Sequence, residues 1–100
     1  LARGSALTPG IEPLATAANL PGFDVGAWIG VMVPAGTPKP LVDRISAAVE
    51  TAMQSAEVRE RIAGIGVEVD YRRSDDFARY LKEQQARFAD IIKKGNIRLD

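Results

Sequence analysis

Residues 24–34 read DVGAWIGVMVP, and the interpretation of this stretch decides the fold. Val25, Trp28, Ile29, Val31, Met32 and Val33 form a nearly continuous apolar run, interrupted only by Gly26, Ala27 and Gly30 and closed by Pro34. A strand with one wet face alternates apolar and polar residues, and this one does not. The pattern, rich in β-branched and aromatic side chains, predicts a strand buried on both faces. Gly26 and Gly30 would then mark a bulge or a close backbone approach. Trp28, the only tryptophan, is expected in core packing or at the lining of a cleft.

Downstream, residues 34–40 (PAGTPKP) form a stiff turn that starts a helix, with Thr37 as the expected N-cap and Pro38 as the first helical residue. Leu41, Ile45, Ala48, Val49 and Ala52 recur at helical spacing. Ser55 is placed to cap a second helix with the stripe Val58, Ile62 and Ile65, ended by Gly64 and Gly66. Val67, Val69 and Tyr71 alternate with Glu68, Asp70 and Arg72, which predicts a short strand. Ser74 opens a last helix with Asp75 and Asp76 in its first turn. Its stripe runs through Phe77, Tyr80, Leu81, Gln84, Phe88, Ile91 and Ile92 to Lys93, Lys94 and Gly95. Upstream, Pro9, Pro13 and Pro21 break the chain into an extended lead-in over residues 1–22.

The expected architecture is α/β, in the order strand, helix, helix, strand, helix over residues 23–100, with an incomplete sheet. Two strands joined by a helical crossover are normally parallel neighbours. A two-stranded sheet leaves unpaired edges and is rarely stable alone. The expectation is therefore that the chain is either the last segment of a longer protein or a module that completes its sheet with a second copy.

The chain has 100 residues, with 13 basic and 13 acidic side chains and neither Cys nor His. That composition removes thiolate nucleophiles, imidazole bases, disulfides and the usual zinc ligand sets. Zero net charge argues against nucleic acid as a partner. No stretch reaches the ~20 apolar residues of a membrane-spanning helix, and no basic-then-apolar leader is read at Leu1. Lys39 beside a helix start suits an anion, yet Pro38 and Pro40 have no N–H to offer. Asp75 and Asp76 point about 100° apart on a helix and are better explained by the helix dipole than by acid–base work. Arg59, Arg61, Arg72 and Arg73 make a basic stretch that Glu57, Glu60, Glu68 and Asp70 neutralise. No enzyme, cofactor or metal is expected.

Pro21-Gly22-Phe23, Trp28 with Gly30, Pro34-Ala35-Gly36-Thr37-Pro38, Glu57-Val58-Arg59 leading to Gly66, Phe77 after Ser74-Asp75-Asp76, and the ending Lys94-Gly95-Asn96-Ile97 occur in one order and spacing. Together they resemble the C-terminal third of the solute receptors of tripartite tricarboxylate transporters, often called Bug receptors. Departures fall in the lead-in, where Leu14, Ala17 and Asn19 replace the Thr, Glu and Gly usual in the family. The resemblance implies a segment of a type II periplasmic-binding-protein domain, part of a periplasmic receptor that captures small carboxylate solutes. It implies membrane permease subunits as partners, and the remainder of the receptor, or a second copy of the chain, as the completing surface. The main ligand loops would lie outside this sequence, leaving Trp28 and Thr37 as the candidates for a cleft edge. The alternative is a stand-alone α/β module that homo-oligomerises by strand addition or swapping and binds no small molecule.

Overall fold

The computed structural model describes residues 3–99; the start of the lead-in at Leu1 and Ala2, and the terminal Asp100, lie outside the described residues. Four helices follow one another: α1 (Leu14–Ala17), α2 (Lys39–Gln54), α3 (Ala56–Gly64) and α4 (Ser74–Gly95). The helix starts sit close to their sequence signals. Ser55 occupies the N-cap position of α3, while α2 and α4 are capped at Pro38 and Arg73, each within a residue of the expected Thr37 and Ser74. No N-cap side chain bonds the helix it opens.

Thr37 serves the turn instead. Its hydroxyl donates to the Pro34 carbonyl at 2.7 Å, and its backbone N–H reaches the same oxygen at 3.3 Å. Gly36, with φ of 83°, occupies the position of this turn that needs the left-handed region. At the other end of the molecule, Asn96 takes the left-handed conformation that stops α4, and the Ile97 N–H returns to the Ile92 carbonyl at 3.0 Å.

The α/β expectation is not met. Among the described residues there is no strand and no sheet. Residues 24–36 donate no backbone hydrogen bond to another described backbone group, and Val67–Tyr71 forms no ladder with them. The physical reason is the one that made the sheet doubtful: a lone strand pair has little to hold it. The apolar run rests its side chains on α4 instead. It is not buried on both faces, for Ile29 is 82% and Val31 67% exposed.

Side chains, not sheet hydrogen bonds, tie the elements. Residues 67–73 are fastened to α2 by Tyr71, whose hydroxyl donates to the Ser46 carbonyl at 2.7 Å, and by the Arg73–Glu50 ion pair at 3.0 Å. Arg59 Nε donates to the Met53 carbonyl at 2.7 Å across the α2–α3 corner. The half-buried apolar residues on α2 are Val42, Ile45, Val49 and Met53, with Ser46 and Glu50 half-buried beside them, so the inward stripe is rotated from the one expected; Leu41, Ala48 and Ala52 face solvent.

No described side chain is fully buried. The accessible surface is 8317 Å², against about 5,500 Å² for a folded monomer of this mass. The radius of gyration is 16.6 Å, where a compact domain of this length has about 13 Å. A chain with helices but no closed core is expected to show strong helical far-ultraviolet circular dichroism, weak near-ultraviolet signal and a broad thermal transition. Circular dichroism of the purified chain checks this, and a sharp cooperative transition would contradict it.

Candidate functional site

An apolar groove of about 480 Å³ opens between the 27–33 segment, α2, residues 67–72 and the first turns of α4. Its centre is an aromatic cluster built by helical spacing: Phe77 and Tyr80 lie three apart on α4, hence on one face. Their ring centroids are 6.5 Å apart in a stacked arrangement. Trp28 meets Phe77 edge-on at 5.7 Å and Tyr80 edge-on at 6.2 Å, both within the favoured range for aromatic pairs. The Arg72 guanidinium lies 4.4 Å above the Tyr80 ring, a cation–π contact that leaves it free to reach Asp70 at 3.3 Å as well.

Gly30 explains how the segment comes so close. A Cβ built there would overlap Phe77 Cζ and stand 2.7 Å from Cε1, so the absent side chain is the room the ring occupies. Residues 28 and 30 therefore touch α4 while 29 and 31 stay largely exposed at the rim of the groove, the alternation of an extended backbone.

The two sequence-derived site residues are not brought together. Trp28 lines the groove; Thr37 does not, and its hydroxyl is committed to the Pro34 carbonyl. The helix start beside it makes a poor anion site. Lys39 Nζ donates to both carboxylate oxygens of Asp43, at 3.0 and 3.1 Å. That hydrogen bond, then the charge of Asp43 and that of Asp75, raises the Lys39 pKa, so its ammonium is held protonated by partners already present. Lys94 is raised in the same way by Asp90, whose carboxylate lies 2.8 Å away.

Some of the remaining charges pair locally. Arg61 meets Glu57 at 2.7 Å, and Arg79 pairs with Asp76 rather than with Asp75 four residues back. Ser5 in the lead-in bonds the Glu68 carboxylate. Arg87 does not pair with Glu83, and its guanidinium donates to the Asp24 carbonyl. Among the described residues no three carboxylates converge as a metal site would require, and no helix is long and apolar enough to cross a membrane. The sequence reading missed Phe77 and Tyr80 as site residues, though their spacing and the facing Gly30 were visible signals.

A family model described as "Tripartite tricarboxylate transporter family receptor" matches residues 3–97. Among curated relatives, the UPF0065 protein in the tcbD–tcbE intergenic region of Pseudomonas sp. strain P51 is 32% identical over 84 residues, covering 84% of this chain and 25% of that protein. The UPF0065 protein in the clcB–clcD intergenic region of Pseudomonas knackmussii is 41% identical over 58 residues, covering 58% of this chain and 34% of that protein. The chain thus spans between a quarter and about a third of the length of these relatives. No solved structure matches significantly.

Gly30→Ala is expected to push Phe77 or the 27–33 segment aside and so to raise acrylamide quenching of Trp28 fluorescence. Made in a Phe77→Ala background, the same substitution should add little, because the new Cβ then meets no ring. An equal increment with and without the Phe77 ring would separate the two residues.

Proposed function

We propose, since this chain belongs to the tripartite tricarboxylate transporter receptor family, that it is the C-terminal part of an extracytoplasmic receptor that captures small carboxylates for membrane permease subunits. The observation that carries the reading is the family match over residues 3–97, nearly the whole chain. The uncovered apolar surface supports it: a receptor segment meets the rest of its protein there, and a chain with no fully buried side chain has use for such a cover.

Within this reading the protein works in the periplasm as a binding protein and performs no chemistry on its solute. The principal solute contacts come from loops outside these 100 residues, and of the two candidates for the cleft edge Trp28 is the one that lines a groove, Thr37 serving its turn. Arg72 and Lys39 are engaged by Asp70 and Asp43, so neither offers a free cation to a carboxylate. This favours a supporting role for the segment over a solute-holding one.

Calorimetry with citrate and a set of C4 dicarboxylates tests the assignment. The 100-residue chain is expected to give no stoichiometric heat, whereas a longer receptor carrying this segment binds at least one of these acids. Tight one-to-one binding by the chain alone would overturn the placement of the solute loops. A carrying receptor that ignores every di- and tricarboxylate offered would overturn the receptor role itself.

A further inference from the structure

Arg87 stands four residues after Glu83, the spacing of a stabilising helix pair, yet its guanidinium crosses to the Asp24 carbonyl, 63 residues away in sequence. It shares a face of α4 with Phe77, Tyr80 and Gln84, at intervals of three, four and three. The segment that begins at Asp24 lies against that same face, with Trp28 at Phe77 and Tyr80 and with Gly30 at Phe77. The register closes arithmetically. Four extended residues from Asp24 to Trp28 cover roughly 13 Å. The helical rise from Arg87 back to a point between Tyr80 and Phe77 is also roughly 13 Å. The two run antiparallel and in step.

Beyond these contacts the segment is held by apolar packing alone, along the groove it shares with α2 and residues 67–72. Its backbone N–H groups donate to no other backbone carbonyl, so lifting it breaks no ladder. It is flanked by Gly22 and Gly36, with φ of 79° and 83°, each inside a turn closed by a backbone hydrogen bond, Phe23 to Leu20 and Thr37 to Pro34, and at these positions glycine absorbs a backbone rotation at the least cost.

We propose that residues 24–33 form a hinged strap that latches onto α4, with Arg87 as the positioning residue that clamps its first end so that Trp28 enters the Phe77–Tyr80 notch. In the latched state Trp28 and Gly30 sit on α4 and the 27–33 segment closes one wall of the groove, with Ile29 and Val31 at its rim and largely exposed. In the released state the strap swings on Gly22 and Gly36, Trp28 leaves the notch, and the groove stands open along α4. The Arg87 guanidinium and the Trp28 indole are the two specific contacts that favour the latched state. The inference concerns this chain by itself and stands apart from the receptor reading.

The single tryptophan reports the strap directly. Trp28 is 39% exposed in the latched state, so release is expected to raise acrylamide quenching of its fluorescence about twofold and to shift emission to the red, on the nanosecond scale such quenching samples. Arg87→Met should produce that change with helical ellipticity retained. Arg87→Lys, with a shorter reach and one donating group, should fall between wild type and Arg87→Met. Glu83→Gln should leave Trp28 unmoved, because Glu83 takes no part in the clamp. Unchanged quenching in Arg87→Met overturns the latch, as does a Glu83→Gln response as large as that of Arg87→Met. Where Arg87→Met loses ellipticity, Arg87→Lys decides: quenching above wild type with ellipticity intact supports the clamp, and quenching equal to wild type overturns it.

Discussion

A strap whose backbone joins no ladder must be held by side chains, and here the Trp28 indole and the Arg87 guanidinium on the Asp24 carbonyl share that holding. The wedge of Trp28 between Phe77 and Tyr80 brings two aromatic pairs, each adding about 0.5–1.5 kcal/mol beyond the area it buries. The strap's exposed amides are solvated and cost little left unpaired, since the penalty belongs to buried polar groups. What the missing ladder takes away is directional restraint. Gly30 restores part of it: because a Cβ there would collide with Phe77, the strap sits deep only in the register that puts glycine over the ring. Residues 67–73 close the far side of the same groove through Tyr71 on Ser46 and Arg73 on Glu50, so α2 and α4 are joined through the segments between them.

The helices were legible and the strands were not, for one reason. A helix satisfies its own backbone, so its period, its caps and its stop residues are all local, and α2, α3 and α4 lie within a few residues of their signals. A strand is defined by a partner. The run from Val25 to Val33 has every compositional mark of a buried strand, but composition reports the apolar surface a segment carries and not the hydrogen bonds it finds. The same limit applies to Val67–Tyr71, whose alternation is real: Val67, Val69 and Tyr71 are the half-buried positions, with no ladder beside them.

Charges obeyed local rules where a neighbour was the best partner available. Lys94 with Asp90 and Lys39 with Asp43 follow helical spacing. Arg87 departs from it because a carbonyl from a segment 63 residues away lies within reach, and an exposed helix pair is worth only a few tenths of a kcal/mol, too little to hold a long side chain against a competing acceptor. The α2 stripe shows the same weakness in another form. Leu41, Val42, Ile45, Ala48, Val49, Ala52 and Met53 spread over roughly 140° of the helix circumference, wider than one line of contact, so periodicity alone leaves the inward direction open by a residue, and the partner elements choose Val42, Ile45, Val49 and Met53.

The loss of the sheet does not remove the objection that made a solitary chain implausible. That objection concerned apolar surface, and it reappears with a different shape. Ile29, Val31 and Met32 on the outer side of the strap, and Ile92, Ile97 and Leu99 at the far end of α4, all stand open to solvent. The surface in excess of a compact monomer is roughly 2,800 Å², within the range buried in permanent associations. A family whose curated members run to three or four times the length matched here has enough chain to cover an area of that size. Hydrogen-bond pattern decides how such a cover is made; the need for it follows from the side chains alone, and those are the same whether residues 24–33 lie in a ladder or across a helix.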